Sequence, residues 1–257
     1  MRFCCLASGS EGNASLVESG ESPTRLLIDC GVSPGLLREK LHVKGLSIED
    51  LDGVLVTHEH GDHIRGIKGL LGDKSLSILM TYGSYSASFC RKVKKFSPII
   101  ISPHKSFEFK ELKLMPFPVP HDAREPIALV LDDGKYKLGV LTDAGTITKH
   151  MQETLKGMDG LILEFNYDRD LLIQSSYPQV LKDRISSGVG HLSNDKAALL
   201  LRKIVHKKMQ VIVAAHLSQT NNSMAIVKSY VDNSLGNFNP KLIIASQGEG
   251  TDWITLV

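Results

Sequence analysis

The chain alternates between two hydrophobic rhythms. Short apolar runs bounded by Gly, Ser, Pro or Asp read as strands: "RFCCLAS", "ASLVES", "TRLLIDCG", "GVLVTH", "LSILMT", "PIIIS", "SFEF", "LKLMPFPV", "DGLILEFN", "MQVIVAAH", "KLIIAS" and "DWITLV". The second and third form a hairpin around "GESP", and "PIALVLDDGKYKLGVLTDAG" is a hairpin turning at "DDGK". Between them lie segments of helical period. "SPGLLREKLHVKG" has Ser33 to cap it, Pro34 in the first turn and Gly45 after the end. "LSNDKAALLLRKIVHKK" has Ser193 as its cap, Asp195 in the first turn and basic residues in the last. "HIRGIKGLLG", "GSYSASFCRKVKK", "ITKHMQETLKG", "YPQVLKDRISS" and "NNSMAIVKSYVDNSL" are further expected helices.

Strands and helices mix throughout, so the economical reading is one α/β domain over residues 1–257. Its first half holds more consecutive strands than a doubly wound sheet would. The formal net charge of +2 is too small to signal nucleic-acid binding by itself, so any phosphate contact must come from local patches. Cys4, Cys5, Cys30 and Cys90 form no CxxC pair and read as reduced core thiols, with Cys4 and Cys5 on opposite strand faces. No apolar run is long enough to span a membrane, and the N-terminus lacks a signal-peptide core, so a cytoplasmic protein is expected.

"VTHEHGDHIRG" changes the picture. His58, His60, Asp62 and His63 crowd the end of an apolar strand. On a regular strand alternate residues face opposite ways, so convergence requires a loop, with Gly61 supplying the backbone freedom. Imidazole and carboxylate together suit zinc, manganese or iron. Further donors stand where other apolar runs stop: His121 after "MPFPVP", Asp143 after "LGVLT" and His216 after "VIVAA". His42, His104, His150 and His206 lack that placement and read as background.

In this order, HxHxDH, a lone His, a lone Asp and a final His resemble the metallo-β-lactamase superfamily over about residues 6 to 217. The resemblance implies an αβ/βα sandwich of two mixed sheets with helices outside. It also implies a dinuclear site at one sheet edge. One cation would take His58, His60 and His121, the other Asp62, His63 and His216, with Asp143 bridging. "LASGSEGNASLV", "PFPVPHDAREPIAL", "LEFNYD", "GHLSND" and "AHLSQTNN" resemble the YycJ/WalJ-type, exonuclease-like subgroup. The chain is also similar to RNase Z and to the phosphonate-pathway cyclic phosphodiesterase, whose structural-zinc cysteines have no counterpart here. The basic region of glyoxalase II, the signal peptide of secreted β-lactamases and the flavodoxin domain of flavodiiron proteins are not seen.

By that resemblance, His191 of "GHLSND" contacts phosphate or assists the leaving oxygen, and Glu164 pairs with it. Arg65, Lys68 and Arg124 flank ligand segments and are candidate phosphate contacts, whereas "RKVKK" reads as a solvated helix face. Ser10, Asn13, Asn221 and Asn222 could line the cleft or serve as turn and cap residues.

The expected activity is phosphodiester hydrolysis by a metal-bound hydroxide, on DNA ends or RNA, with Asp62 orienting the nucleophile or taking its proton. A small-molecule cyclic phosphodiesterase is the enzymatic rival. A non-catalytic metal-binding DNA-repair scaffold is the rival of another class.

Overall fold

The computed structural model describes residues 1–20, 23–71, 76–94 and 96–257. β1 (Arg2–Ala7), β2 (Ala14–Glu18), β3 (Arg25–Ile28), β4 (Gly53–Leu55), β5 (Ser77–Thr81), β6 (Ile99–Ile101) and β14 (Ile254–Thr255) form one sheet, in the order β14-β1-β2-β3-β4-β5-β6. β7 (Phe107–Phe109), β8 (Leu112–Pro118), β9 (Ile127–Asp132), β10 (Lys137–Leu141), β11 (Gly160–Glu164), β12 (Val211–Ala215) and β13 (Lys241–Ile244) form the other, in the order β13-β12-β11-β10-β9-β8-β7.

The pleat sorts side chains into three cores. Phe3, Cys5, Val17, Leu55 and Leu79 of the first sheet meet Leu114, Leu129, Val140, Ile162 and Val213 of the second between the sheets. Cys4, Leu16, Leu27 and Val54 turn outward onto Leu37 and Leu41 of α1 (Pro34–Val43). Val130, Leu161, Leu163 and Ile212 turn outward onto α4 (Lys149–Thr154), α7 (Asn194–Ile204) and α8 (Met224–Asp232). Strands buried on both faces explain why so many runs are continuously apolar rather than alternating. Adjacent Cys4 and Cys5 fall into different cores, and all four cysteines are free and buried. The layering is the expected αβ/βα sandwich.

α1 follows its sequence signals: the Ser33 side chain accepts the Leu36 N–H, and Gly45 takes φ +75° beyond the last turn. Leu37 and Leu41 are fully buried, so truncating either to Ala costs about 2–5 kcal/mol.

Several boundaries differ from the sequence reading. The helix expected at His63 begins earlier, as α2 (Gly61–Ile64), and continues as a 3-10 turn over Arg65–Gly69. The helix expected over "GSYSASFCRKVKK" stops as α3 (Tyr82–Ala87), because Ser88 is extended and its hydroxyl donates to the Tyr85 carbonyl. Ser193 occupies the N-cap position of α7 without a side-chain cap bond, and the helix ends at Ile204. An additional helix, α5 (Arg169–Gln174), is capped by Asp168 and precedes α6 (Gln179–Ser186). Parts of "GESP" and Gly72 and Lys95 of two expected helices lie outside the described residues. Among the described residues no helix is long and apolar enough to cross a membrane.

Strand direction positions the site. In the first sheet β1, β3 and β4 run one way, with β2 antiparallel between the first two. In the second, β8, β10, β11 and β12 share a direction. The donor-bearing segments follow the C-terminal ends of these co-directional strands.

Candidate metal centre

The donors converge from both sheets. His58 leaves β4, His121 follows β8, Asp143 follows β10 and His216 follows β12. α2 brings in Asp62 and His63, with His60 as its N-cap residue. Gly61 is helical, and a Cβ there would meet nothing within 4 Å, so the freedom expected of it is not what gathers the cluster. The end of β4 and the helical turn after it do that instead. The glycine that matters is Gly31, where a Cβ would sit 1.6 Å from the Asp62 carbonyl oxygen. Asp143 (φ 55°), His216 (φ 56°) and Asp29 (φ 61°) all take left-handed backbone, a conformation costing non-glycine residues about 1–3 kcal/mol.

Ligand-type atoms of His58, His60 and His121 lie within 4.8 Å of one another, as do those of Asp62, His63 and His216. Asp143 joins the two groups: its Oδ2 is 3.0 Å from His63 Nε2, its Oδ1 is 3.7 Å from His216 Nε2, and it clusters with His58 and His63. The surroundings fix which nitrogen each ring presents. Thr57 donates its hydroxyl proton to Asp29, so its oxygen accepts from His58 Nδ1 at 3.0 Å. His63 Nδ1 donates to Asp29 at 2.8 Å, and His121 Nδ1 to the Gly190 carbonyl at 2.9 Å. His60 Nε2 faces the Asp122 carbonyl at 3.2 Å.

This arrangement fits bound cations. His60 Nδ1 and His121 Nε2 stand 3.1 Å apart with their N–H groups already committed elsewhere. His58 Nε2 and Asp143 Oδ2 are buried without a hydrogen-bond partner. Lone pairs aimed at one another are relieved by a cation between them, and the nitrogen and oxygen donors suit zinc, manganese or iron.

Electrostatics divides the rings. Burial lowers the pKa of His58 and His121. Burial opposes charge on His63 and His216 too, but Asp143 and Asp29 raise His63 well above the usual imidazole range. Asp143, Asp62 and Glu164 lift His216 to about 9. Burial likewise works against charge on Asp143 and Asp62, yet the neighbouring histidines hold both carboxyls well below their usual range.

Beside the cluster, the His191 ring donates from Nδ1 to Glu164 at 2.8 Å, and Asp143 Oδ1 lies 3.2 Å away. Burial is again outweighed: Glu164 and Asp143 bring His191 to about 10. Glu164 also accepts the Ala144 and Leu192 N–H groups, tying the Asp143 loop to the His191 loop. Gly145 permits that approach, since a Cβ there would lie 2.5 Å from the 188–190 backbone.

The cluster opens into a cavity of about 440 Å³, whose lining includes Ser10, Asp62, Asn166, Tyr177, Arg184 and His191. The other substrate-contact candidates lie outside that lining. Lys68 sits over the Phe89 ring on the outer face of the first sheet. Arg65 is exposed and bonds back to the Gly61 carbonyl. Arg124 meets Glu59 through its backbone N–H. Asn13 is buried against Gly9 and His63, Asn221 is buried, and Asn222 bonds Phe165 and Asn194. Sequence reasoning missed Asp29, Asn166, Tyr177 and Arg184. For Asp29 a signal existed, since "LLID" ends an apolar strand in an acid as "GVLTD" does.

The model of the beta-lactamase superfamily domain matches residues 24–213. The chain belongs to this superfamily. The exodeoxyribonuclease YycJ of Bacillus anthracis is 32% identical over 237 residues, covering 91% of this chain and 89% of that protein. The exodeoxyribonuclease WalJ of Streptococcus pneumoniae is 31% identical, covering 98% and 92%. The metallo-beta-lactamase fold protein YhfI of Bacillus subtilis superposes with a TM-score of 0.75 at 18% identity, covering 97% of this chain and 98% of that one. Family, fold and donor set agree on a metal-dependent hydrolase, the class expected from the sequence.

Proposed function

We propose that residues 1–257 act as one dinuclear phosphodiesterase domain that hydrolyses nucleic acid from its ends. The observation that carries this reading is the convergence of two donor trios on Asp143, with His191 beside them but turned to Glu164. His58, His60 and His121 would hold one cation, Asp62, His63 and His216 the other, and Asp143 would touch both. Divalent cations bound there supply a water of lowered pKa and positive charge opposite the developing negative charge.

The chain's own groups do the rest. Asp62 lines the cavity as a carboxylate and orients the attacking water. Glu164 holds His191 Nδ1, which leaves Nε2–H as a charge-assisted donor to a phosphate oxygen or to the leaving oxygen. Ser10 and Asn166 border the same space. The two exodeoxyribonuclease relatives, similar over nearly their whole length, support DNA as the polymer. One observation favours the small cyclic phosphodiester instead: a cavity of about 440 Å³ is at the small-ligand scale.

The test is the protein purified with manganese or zinc, given end-labelled single- and double-stranded DNA and RNA and bis-p-nitrophenyl phosphate. Mononucleotides released from DNA ends are expected. His191→Ala should keep its metal and lose roughly 10²–10⁴-fold in rate. Cleavage of cyclic phosphodiesters with no polymer cut would replace the nuclease reading. A fully metallated protein that hydrolyses nothing would leave a metal-binding scaffold.

A further inference from the structure

α6 stands out as a helix with no buried residue. A helix without a core face contributes little to packing, so its sequence answers to something else. Leu181 and Ile185 line the metal-centre cavity instead, together with Tyr177 from the turn before the helix. Arg184 is the one Lys or Arg among the described residues lining that cavity. Its Nε donates to Asp122 Oδ2 at 2.7 Å, and another oxygen of Asp122 lies 3.5 Å from His121 Nε2. The guanidinium is therefore tethered at the mouth by one edge. It is 60% exposed, and its terminal nitrogens have no hydrogen bond to the described residues.

On the opposite flank of α6 a second cavity, of about 310 Å³, is lined by Arg169, Lys182, Lys196 and Tyr167. Asp183 lines it too, Arg169 is paired with Asp195, and Lys182 and Lys196 are bonded to backbone carbonyls, which leaves Arg184 as the cation with free donors at the metal-centre cavity. Tyr177 is half-buried and presents an aromatic ring at the cavity wall.

Resting on the phosphodiesterase reading above, we propose that Tyr177 and Arg184 form a subsite selecting a single-stranded nucleic-acid end over a small ester. Tyr177 stacks on a base next to the scissile linkage, and Arg184 forks onto the adjoining phosphate. The chemistry fits, because aromatic faces take any base and a guanidinium pairs two phosphate oxygens at once. A cavity of about 440 Å³ is at the scale of a nucleotide or two, which a frayed or single-stranded terminus can supply.

The experiment measures binding of a phosphorothioate single-stranded oligonucleotide to the metallated protein across a salt series. Hydrolysis of the unmodified oligonucleotide and of bis-p-nitrophenyl phosphate is measured in parallel. Arg184→Ala should weaken oligonucleotide binding by roughly 10- to 100-fold and reduce the salt slope by about one. Bis-p-nitrophenyl phosphate hydrolysis should fall far less, by no more than about threefold. Arg184→Lys should keep most of the salt slope while losing part of the affinity. Tyr177→Ala should weaken binding by roughly 5- to 100-fold, and Tyr177→Phe should restore it.

The subsite is overturned if Arg184→Ala binds the oligonucleotide within twofold of the parent. Equal losses on both substrates, or loss of bound metal, would overturn it too by placing Arg184 in the metal centre. A parent protein that binds the oligonucleotide but never cuts it refutes the nuclease reading and leaves the subsite standing. A parent that cuts it while the Arg184 and Tyr177 variants cut equally well does the reverse.

Discussion

The two donor trios are built differently. His58, His60 and His121 lean on a threonine hydroxyl and two backbone carbonyls. His63 leans on the buried carboxylate of Asp29, and His216 Nδ1 lies 3.0 Å from the Asn166 amide and 3.5 Å from Glu164. Carboxylates raise ring basicity, and a carbonyl mostly fixes orientation. Burial therefore favours the neutral form of His58 and His121 in the first trio, whereas His63 and His216 of the second concentrate charge. On the two-cation reading proposed above, the difference makes one place tight and the other looser for chemically identical cations. The expectation is that the Asp62/His63/His216 place empties last.

The sharpest way to break that asymmetry is to remove what the two places share. Asp143→Ala should drop metal content at both and lower the rate by roughly 10³-fold or more. Elemental analysis showing one place still full would remove Asp143 from its bridging role. Asp29→Asn should act mainly on the Asp62/His63/His216 place, weakening its metal by roughly 10- to 100-fold, with a smaller loss at the other place through Thr57, which Asp29 also holds beside His58. Competition with a chelator resolves the two, and uniform weakening would erase the asymmetry.

The smallest effect is in pH. A ring must shed its proton before it binds metal. His216 stays protonated up to about 9, and His63 titrates above the usual imidazole range. Apparent affinity at their place should therefore climb as pH rises from 7 toward 9. His58 and His121 are depressed and already neutral at pH 7, so they add no such slope at theirs. Equal slopes at the two places would contradict the division.

How much of this was legible depended on how the chain packs its information. Four donors within six residues are readable because a strand end and the helical turn that follows it gather them. His121, Asp143 and His216 are readable because each stands where an apolar strand stops, and co-directional strands stop at one edge. Asp29 obeys the same rule but was absorbed into a hairpin strand. Arg65, Lys68 and Arg124 were chosen for nearness in sequence to ligands. Arg65 and Lys68 fall on a helical turn, which points successive side chains in different directions, and Arg124 on the bend after His121, so that nearness did not place them in the cavity. Arg184 sits far along the chain on a helix with no motif, and only the packing of α6 over the cavity reveals it. Gly61 misled for the opposite reason: a glycine in a motif suggested special backbone, and an ordinary helical turn was used.

Because the chemistry-bearing strands share one polarity, their starting ends are free of it. β12 begins just beyond the exposed pair Lys207 and Lys208, and β13 begins at Lys241, both away from the donors. Such turns on the far side are where new chain termini, an inserted module or a tether could be grafted without disturbing catalysis. The sandwich in that sense keeps its metal donors at one rim, and diversification by fusion has a place to occur at the other, beside a cavity of about 960 Å³ lined by Lys207, Lys208, Lys241 and Trp253.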